Sequence, residues 1–122
     1  MSRDWSYRVW DKREKTYSDK AFSIDQYGLL YVQDEDGYWE EASARYIFEF
    51  STGLKDMNGK EIYDGDILEY DWYTYGDRPA YRVKSQVVFD DMGARVEDDR
   101  IRNCSNVEVV GNVHEDPELV GG

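Results

Sequence analysis

Ser51-Thr52-Gly53-Leu54-Lys55-Asp56-Met57-Asn58-Gly59-Lys60-Glu61-Ile62-Tyr63-Asp64-Gly65-Asp66-Ile67-Leu68-Glu69-Tyr70 is the stretch whose reading decides the fold. Its glycines stand between short apolar runs instead of inside one helical stripe. Asn58-Gly59 suits a type I′ turn, whose two central residues both need positive φ. Asp64-Gly65 makes a second corner just before Ile67-Leu68-Glu69-Tyr70, which reads as a strand. A tight turn, a hydrophobic residue and then Gly-Asp-Ile opening a strand also occurs in small SH3-like barrels, a likeness of fold that says nothing about ligand.

Upstream, Tyr46-Ile47-Phe48-Glu49-Phe50 alternates, which places Tyr46, Phe48 and Phe50 on one face of a strand. Asp34-Glu35-Asp36-Gly37, set between Leu30-Tyr31-Val32 and Tyr38-Trp39, is a hairpin signal. It is no calcium loop, because its glycine comes too early and no helices flank it. Phe22-Ser23-Ile24-Asp25 and Tyr7-Arg8-Val9-Trp10 read as further strands, with Asp11-Lys12-Arg13-Glu14-Lys15 a solvated turn. Downstream, the ring-rich run from Trp72 to Tyr81 reads as a long hairpin tip or a loop over one barrel end. Ser85-Gln86-Val87-Val88-Phe89 and the run from Val107 to Val113 read as strands, and Pro117 cannot extend the last of them. No window of eleven or more residues sustains an apolar stripe at helical spacing. The expected fold is mainly β: a small antiparallel β-barrel-like (SH3-like) domain with an N-terminal β-meander and little helix. No linker or internal repeat cuts the chain, so residues 1–122 are expected to form a single domain.

Apolar residues make up 40% of the chain and aromatic residues 16%, enough to build a packed core. Twenty-seven acidic against fifteen basic residues leave a net charge of -12, which repels the phosphates of duplex DNA. No stretch nears the roughly 20 apolar residues of a membrane-spanning helix. The N-terminus also lacks the charged-then-apolar layout of a secretory signal, so no membrane association and a cytoplasmic location in a bacterial host cell are expected.

His114 is the only histidine, which excludes paired-histidine catalysis, and with the lone Cys104 it leaves too few ligands for structural zinc. Cys104 itself reads as a half-buried small residue. Asp64, Asp66, Asp90, Asp91, Glu97, Asp98 and Asp99 offer carboxylate chemistry, but each sits where aspartate bonds its own turn. No glycine spacing matches a phosphate-binding loop. The expectation is a non-enzyme with no cofactor and no metal site. The candidate binding residues are Trp72, Tyr73, Tyr75 and Tyr81, rings set among acidic loops, since tryptophan and tyrosine anchor interfaces. An acidic face suits a basic protein partner, and its sharpest version is mimicry of nucleic acid by carboxylates. The rival from another class is a self-assembling structural homo-oligomer. A third reading is single-stranded nucleic-acid binding on rings beside Arg78, Arg82 and Lys84, the main basic cluster of the chain's second half.

Three blocks carry a family resemblance: Arg8-x-Trp10-Asp11, then Thr52-Gly53-Leu54-Lys55-Asp56-x-Asn58-Gly59-Lys60-Glu61-Ile62-Tyr63-x-Gly65-Asp66-Ile67, then Glu108-Val109-Val110-Gly111-Asn112-Val113-x-Glu115-x-Pro117-Glu118-Leu119. In order and spacing they resemble the YopX family of phage and prophage proteins over nearly the whole chain. The run from Trp72 to Arg102 contributes nothing to the resemblance. The resemblance implies a largely β, cytoplasmic protein that assembles into a homo-oligomer, and it implies no activity and no catalytic or binding residues. Where this chain has His114, the resemblance implies an aromatic residue, which speaks against an essential role for the histidine.

Overall fold

Four times the chain reads Asp-x-x-Gly, and each time it turns a corner. Asp25, Asp34, Asp56 and Asp90 each accept on Oδ1 a hydrogen bond from the backbone N–H two residues on, at 2.8–2.9 Å. The first three also accept one from the N–H four residues on, at Leu29, Tyr38 and Lys60. The glycine that closes each corner has positive φ, from 82° at Gly59 to 109° at Gly93, a region that costs glycine nothing. The carboxylate thus replaces the missing hydrogen bonds of the loop, and the glycine supplies its left-handed residue, in a three-residue connection at the first three corners and in a tighter one at the fourth, where Asp90 pairs Gly93 directly. This corrects the type I′ expectation at Asn58-Gly59. Among the described residues only Lys15 and Asn106 have positive φ without being glycine, so Asn58 keeps the ordinary sign and Gly59 alone turns left.

The structure, a computed structural model, describes residues 7–73, 79–96 and 100–121. Its strands in chain order are β1 (Tyr7–Asp11), β2 (Thr16–Ser18), β3 (Phe22–Ile24), β4 (Leu30–Gln33), β5 (Trp39–Glu41), β6 (Tyr46–Lys55), β7 (Glu61–Tyr63), β8 (Asp66–Tyr73), β9 (Pro79–Gln86), β10 (Val88–Asp90), β11 (Gly93–Arg95) and β12 (Ser105–Asn112). A 3-10 turn over Ile101–Asn103 and one short helix, α1 (Glu118–Gly121), complete it. The expected class is the observed one: mainly β, with a curled antiparallel sheet and little helix. The Asp-x-x-Gly corners join β3 to β4, β4 to β5, β6 to β7 and β10 to β11.

The chain forms two compact units, Tyr7–Glu49 and Phe50–Gly122. In the first, β1 pairs β2 antiparallel, and β3-β4-β5 is the expected meander. Its core is Val9, Leu30 and Tyr46, with Phe22, Val32, Ala42 and Phe48 packed against it. Phe22 meets Tyr46 edge to face at 5.0 Å. In the second unit β8 lies between β12 and β9, and the ladder slips at three points: between Ser105 and Glu108, between Val109 and Gly111, and between Trp72 and Tyr73. Such bulges increase twist and curl a sheet. Ile62, Leu68, Tyr70, Val87, Val96, Ile101 and Val107 fill the core of this unit.

Strand β6 departs from its alternation. Tyr46 is buried and Phe48 packs on the core, but Phe50 is 45% exposed and Glu49 only 3%. The cause is a buried acceptor site: Glu49 Oε1 takes a hydrogen bond from Arg8 Nε at 2.8 Å and another from the Tyr17 hydroxyl at 3.0 Å. A carboxylate so paired tolerates burial that an isolated one would not.

Asp11 closes the first corner of the same unit. It accepts bonds from the backbone N–H groups of Arg13 and Glu14 and a forked pair from Arg45, at 2.8 and 3.0 Å. The Arg45 guanidinium, more than any other neighbour, pulls its carboxyl from 3.8 down to about 2. Because the folded value is the lower one, this stabilisation is complete above pH 3.8 and is lost as pH falls through about 2. Melting of residues 7–49, followed by circular dichroism, is therefore expected to drop more steeply across that window than in Asp11→Asn. Parallel curves for the two proteins would show that Asp11 is not the titrating group.

Candidate interaction surfaces

Of the candidate binding residues read from the sequence, Trp72, Tyr73 and Tyr81 fall on β8 and β9. Trp72 and Tyr81 are cross-strand partners. They differ in exposure: Trp72 is half-buried and packs against the core, whereas Tyr81 is 55% exposed. Tyr73 ends β8, and Tyr75, like Arg78, lies outside the described residues. Among the described residues, the cations that would make this hairpin a nucleic-acid platform, Arg82 and Lys84, are already paired. Arg82 donates to Glu69 Oε1 and Asp71 Oδ1 at 2.8 Å each, and also to the carbonyls of Glu69 and Asn106. Lys84 stands 3.6 Å from Glu69. Arg82 holds the Glu69 carboxyl below its usual range, and the Asn106 amide followed by Arg82 does the same for Asp71. Arg82 therefore laces β8, β9 and β12 together.

Two of the carboxylates that might have done acid–base work, Asp66 and Asp90, are engaged in the fold. Asp66 Oδ2 accepts the Tyr63 N–H at 2.8 Å and holds the Asp64-Gly65 corner. Asp90 receives a forked pair from Arg100, which more than anything else lowers its carboxyl to about 2. Glu97, Asp98 and Asp99 lie outside the described residues. Among the described residues no group of three or more His, Cys, Asp and Glu is arranged to hold a metal ion. Cys104 is half-buried, packs on the core and donates its thiol to the Arg100 carbonyl at 3.5 Å. The backbone N–H of His114 donates to Asn112 Oδ1 in the turn after β12.

The sequence reading missed the β4–β5 hairpin as a surface. Tyr38 is 73% exposed and Trp39 49%, and every residue of β5 faces solvent on the outer edge of its meander. Asp34, Glu35, Asp36, Glu40 and Glu41 surround the two rings, and no cation interrupts the span from residue 34 to 44. A cleft of about 340 Å³ beside the hairpin has Asp34, Glu40 and Glu41 in its walls together with Lys20 and Arg45, and Arg45 is committed to Asp11. The available signal was the pairing of rings with unbroken acidity. It was outweighed by the reading of Asp-Gly as turn chemistry, which is also correct.

The two long motif blocks meet in space within the second unit. Met57 N–H donates to the Val107 carbonyl at 2.8 Å, Val113 N–H to the Gly65 carbonyl at 2.9 Å, and Asp56 Oδ2 accepts the Val109 N–H at 2.9 Å. The family model described as YopX protein matches residues 6–121, spanning all three blocks. The chain belongs to the YopX family. A solved structure, protein EF1440 from Enterococcus faecalis, is similar to it at a TM-score of 0.68 and 26% identity. The likeness covers 98% of this chain and 100% of that one. No curated protein matches the chain. The YopX motifs thus mark where the chain turns and clasps itself. Among the described residues no helix is long and apolar enough to cross a membrane.

Proposed function

We propose that this YopX chain is a non-enzymatic protein-interaction module that takes a basic partner on the β4–β5 hairpin. The observation that carries this is the exposure of Tyr38 and Trp39 within an unbroken acidic span. A tryptophan and a tyrosine already at the surface supply large contact area with little entropy to lose, and fixed carboxylates speed encounter with a cationic partner. Lysine or arginine side chains of that partner would pair with Asp34, Glu35, Asp36, Glu40 and Glu41 along the hairpin. The engaged carboxylates of the other corners support a role outside catalysis. Nucleic acid is the poorer ligand, because Arg82 and Lys84 are matched to Glu69 and Asp71.

The test is capture of partners from host lysate on the immobilised protein, with nuclease present and elution in rising salt. The expected result is a basic protein released at moderate salt by the native chain and not retained by Trp39→Ala or by Glu40→Lys with Glu41→Lys. Equal retention by all three proteins removes the hairpin from the interface. Recovery of nothing except the chain itself favours self-assembly.

A further inference from the structure

We propose a second docking surface on the other unit, independent of the acidic hairpin: an apolar groove centred on Arg102 that takes an extended peptide in which an acidic residue stands between two apolar ones. Two depressions, of about 290 and 370 Å³, share Leu54 and Arg102 as a common wall. The first runs to Met57 and Cys104, the second to Phe89 and Met92. Met57, Phe89 and Met92 are exposed, which is unusual for so much flexible apolar surface on one side of a small unit. Methionine adapts its shape to an apolar guest, as surfaces that accept peptides exploit.

The charges decide what the guest must carry. Arg100 is held by Asp90, but the exposed Arg102 makes no ion pair among the described residues. Lys55 adds a second positive charge beside the first depression. Among the described residues the one carboxylate in the walls is Asp56, which is satisfied by three backbone N–H groups and does not compete. Arg102, unpaired among the described residues, stands between two hollows whose walls also carry Leu54, Met57, Ile101, Val107, Phe89 and Met92, which is complementary to a carboxylate with apolar neighbours. In an extended peptide every second side chain faces the same way, so the pattern is apolar, any, acidic, any, apolar. A nucleic-acid strand fits less well, because its evenly spaced phosphates would need a row of cations.

The methionine methyl groups report on each hollow separately, Met57 on one and Met92 on the other. Titration of the methyl-labelled full chain with the peptide Leu-Ser-Glu-Ser-Leu, capped at both ends, is expected to shift both resonances. Replacing its central Glu with Lys is expected to weaken binding at least tenfold, and Arg102→Glu in the protein to reverse that preference. Arg102 is exposed, so the rest of the spectrum should stay unchanged and certify the fold. Glu40→Lys should leave this titration untouched, which separates it from the hairpin. The proposal is overturned if the Lys peptide binds as well as the Glu peptide or if only one methyl moves. Shifts with oligothymidylate in place of the peptide would overturn it in favour of nucleic acid. Shifts that change on dilution of the protein alone would overturn it in favour of a second copy.

Discussion

Asp56→Ala is expected to destabilise the unit formed by residues 50–122 by about 3 to 5 kcal/mol, as three hydrogen bonds to a charged and nearly buried acceptor are lost together. Asp56 Oδ1 holds the N–H groups of Asn58 and Lys60, which closes the β6–β7 corner. Its Oδ2 holds the N–H of Val109 on β12, a residue 53 positions away. Burial by itself would raise this carboxyl, but the Val109, Lys60 and Asn58 N–H groups outweigh it and the net shift is downward. Alanine leaves three N–H groups without an acceptor at the junction of the two YopX motif blocks. Asparagine keeps one good acceptor and sets its amide against a donor, so Asp56→Asn should cost roughly half as much. Urea unfolding followed by circular dichroism measures both. A cost below about 1 kcal/mol for the alanine variant would mean that water replaces the carboxylate and that the clasp is not structural.

Glu49→Ala is expected to cost about 2 to 4 kcal/mol in the other unit, because it strands a half-buried cation. Arg8 is anchored at 2.8 Å to Glu49 and lies 4.5 Å above the Tyr17 ring, whose hydroxyl shares the same carboxylate oxygen. The alternative arrangement, Arg8→Met with Glu49→Leu, removes the ion pair without orphaning a charge and should recover most of the loss. Tyr17→Phe alone should cost only about 1 kcal/mol, the value of one hydrogen bond to a carboxylate that keeps its arginine. A double-mutant cycle over Arg8 and Glu49 gives the coupling directly. If the two single losses simply add, the pair is a surface-like contact and the burial of Glu49 has another cause.

These two sites show how residues of the YopX motifs hold the fold. Arg8 and Asp11 in the first block secure Glu49 and Arg45. Asp56, Gly59, Gly65 and Asp66 in the second make and clasp corners. In the third, a side chain at Gly111 would meet the Asp116 carboxylate at 2.6 Å, and Asp116 Oδ2 accepts the Asn112 N–H at 3.3 Å. Every one of these residues has a structural task. The acidic hairpin lies between the first two blocks, on a loop and an edge strand where sequence is free to follow a partner, whereas the Arg102 groove borrows Leu54 and Lys55 from the second block and takes Phe89, Met92 and Arg102 from outside the blocks.

By itself the sequence determined the mainly β class, the antiparallel meander, the position of the corners and the family, because all of these rest on short-range physics. An aspartate bonds N–H groups within four residues of itself, and a glycine either turns left or does not, whatever the rest of the chain is doing. Alternation told where strands run, yet it could not say that Glu49 would turn inward and Phe50 outward, since the partners of Glu49 are 41 and 32 residues away. Nor could it tell that Arg82 is consumed by Glu69 and Asp71, or that Trp72 joins the core while Trp39 stays at the surface. Those outcomes belong to tertiary structure, because burial of a charge or a ring depends on which distant groups arrive to satisfy or cover it.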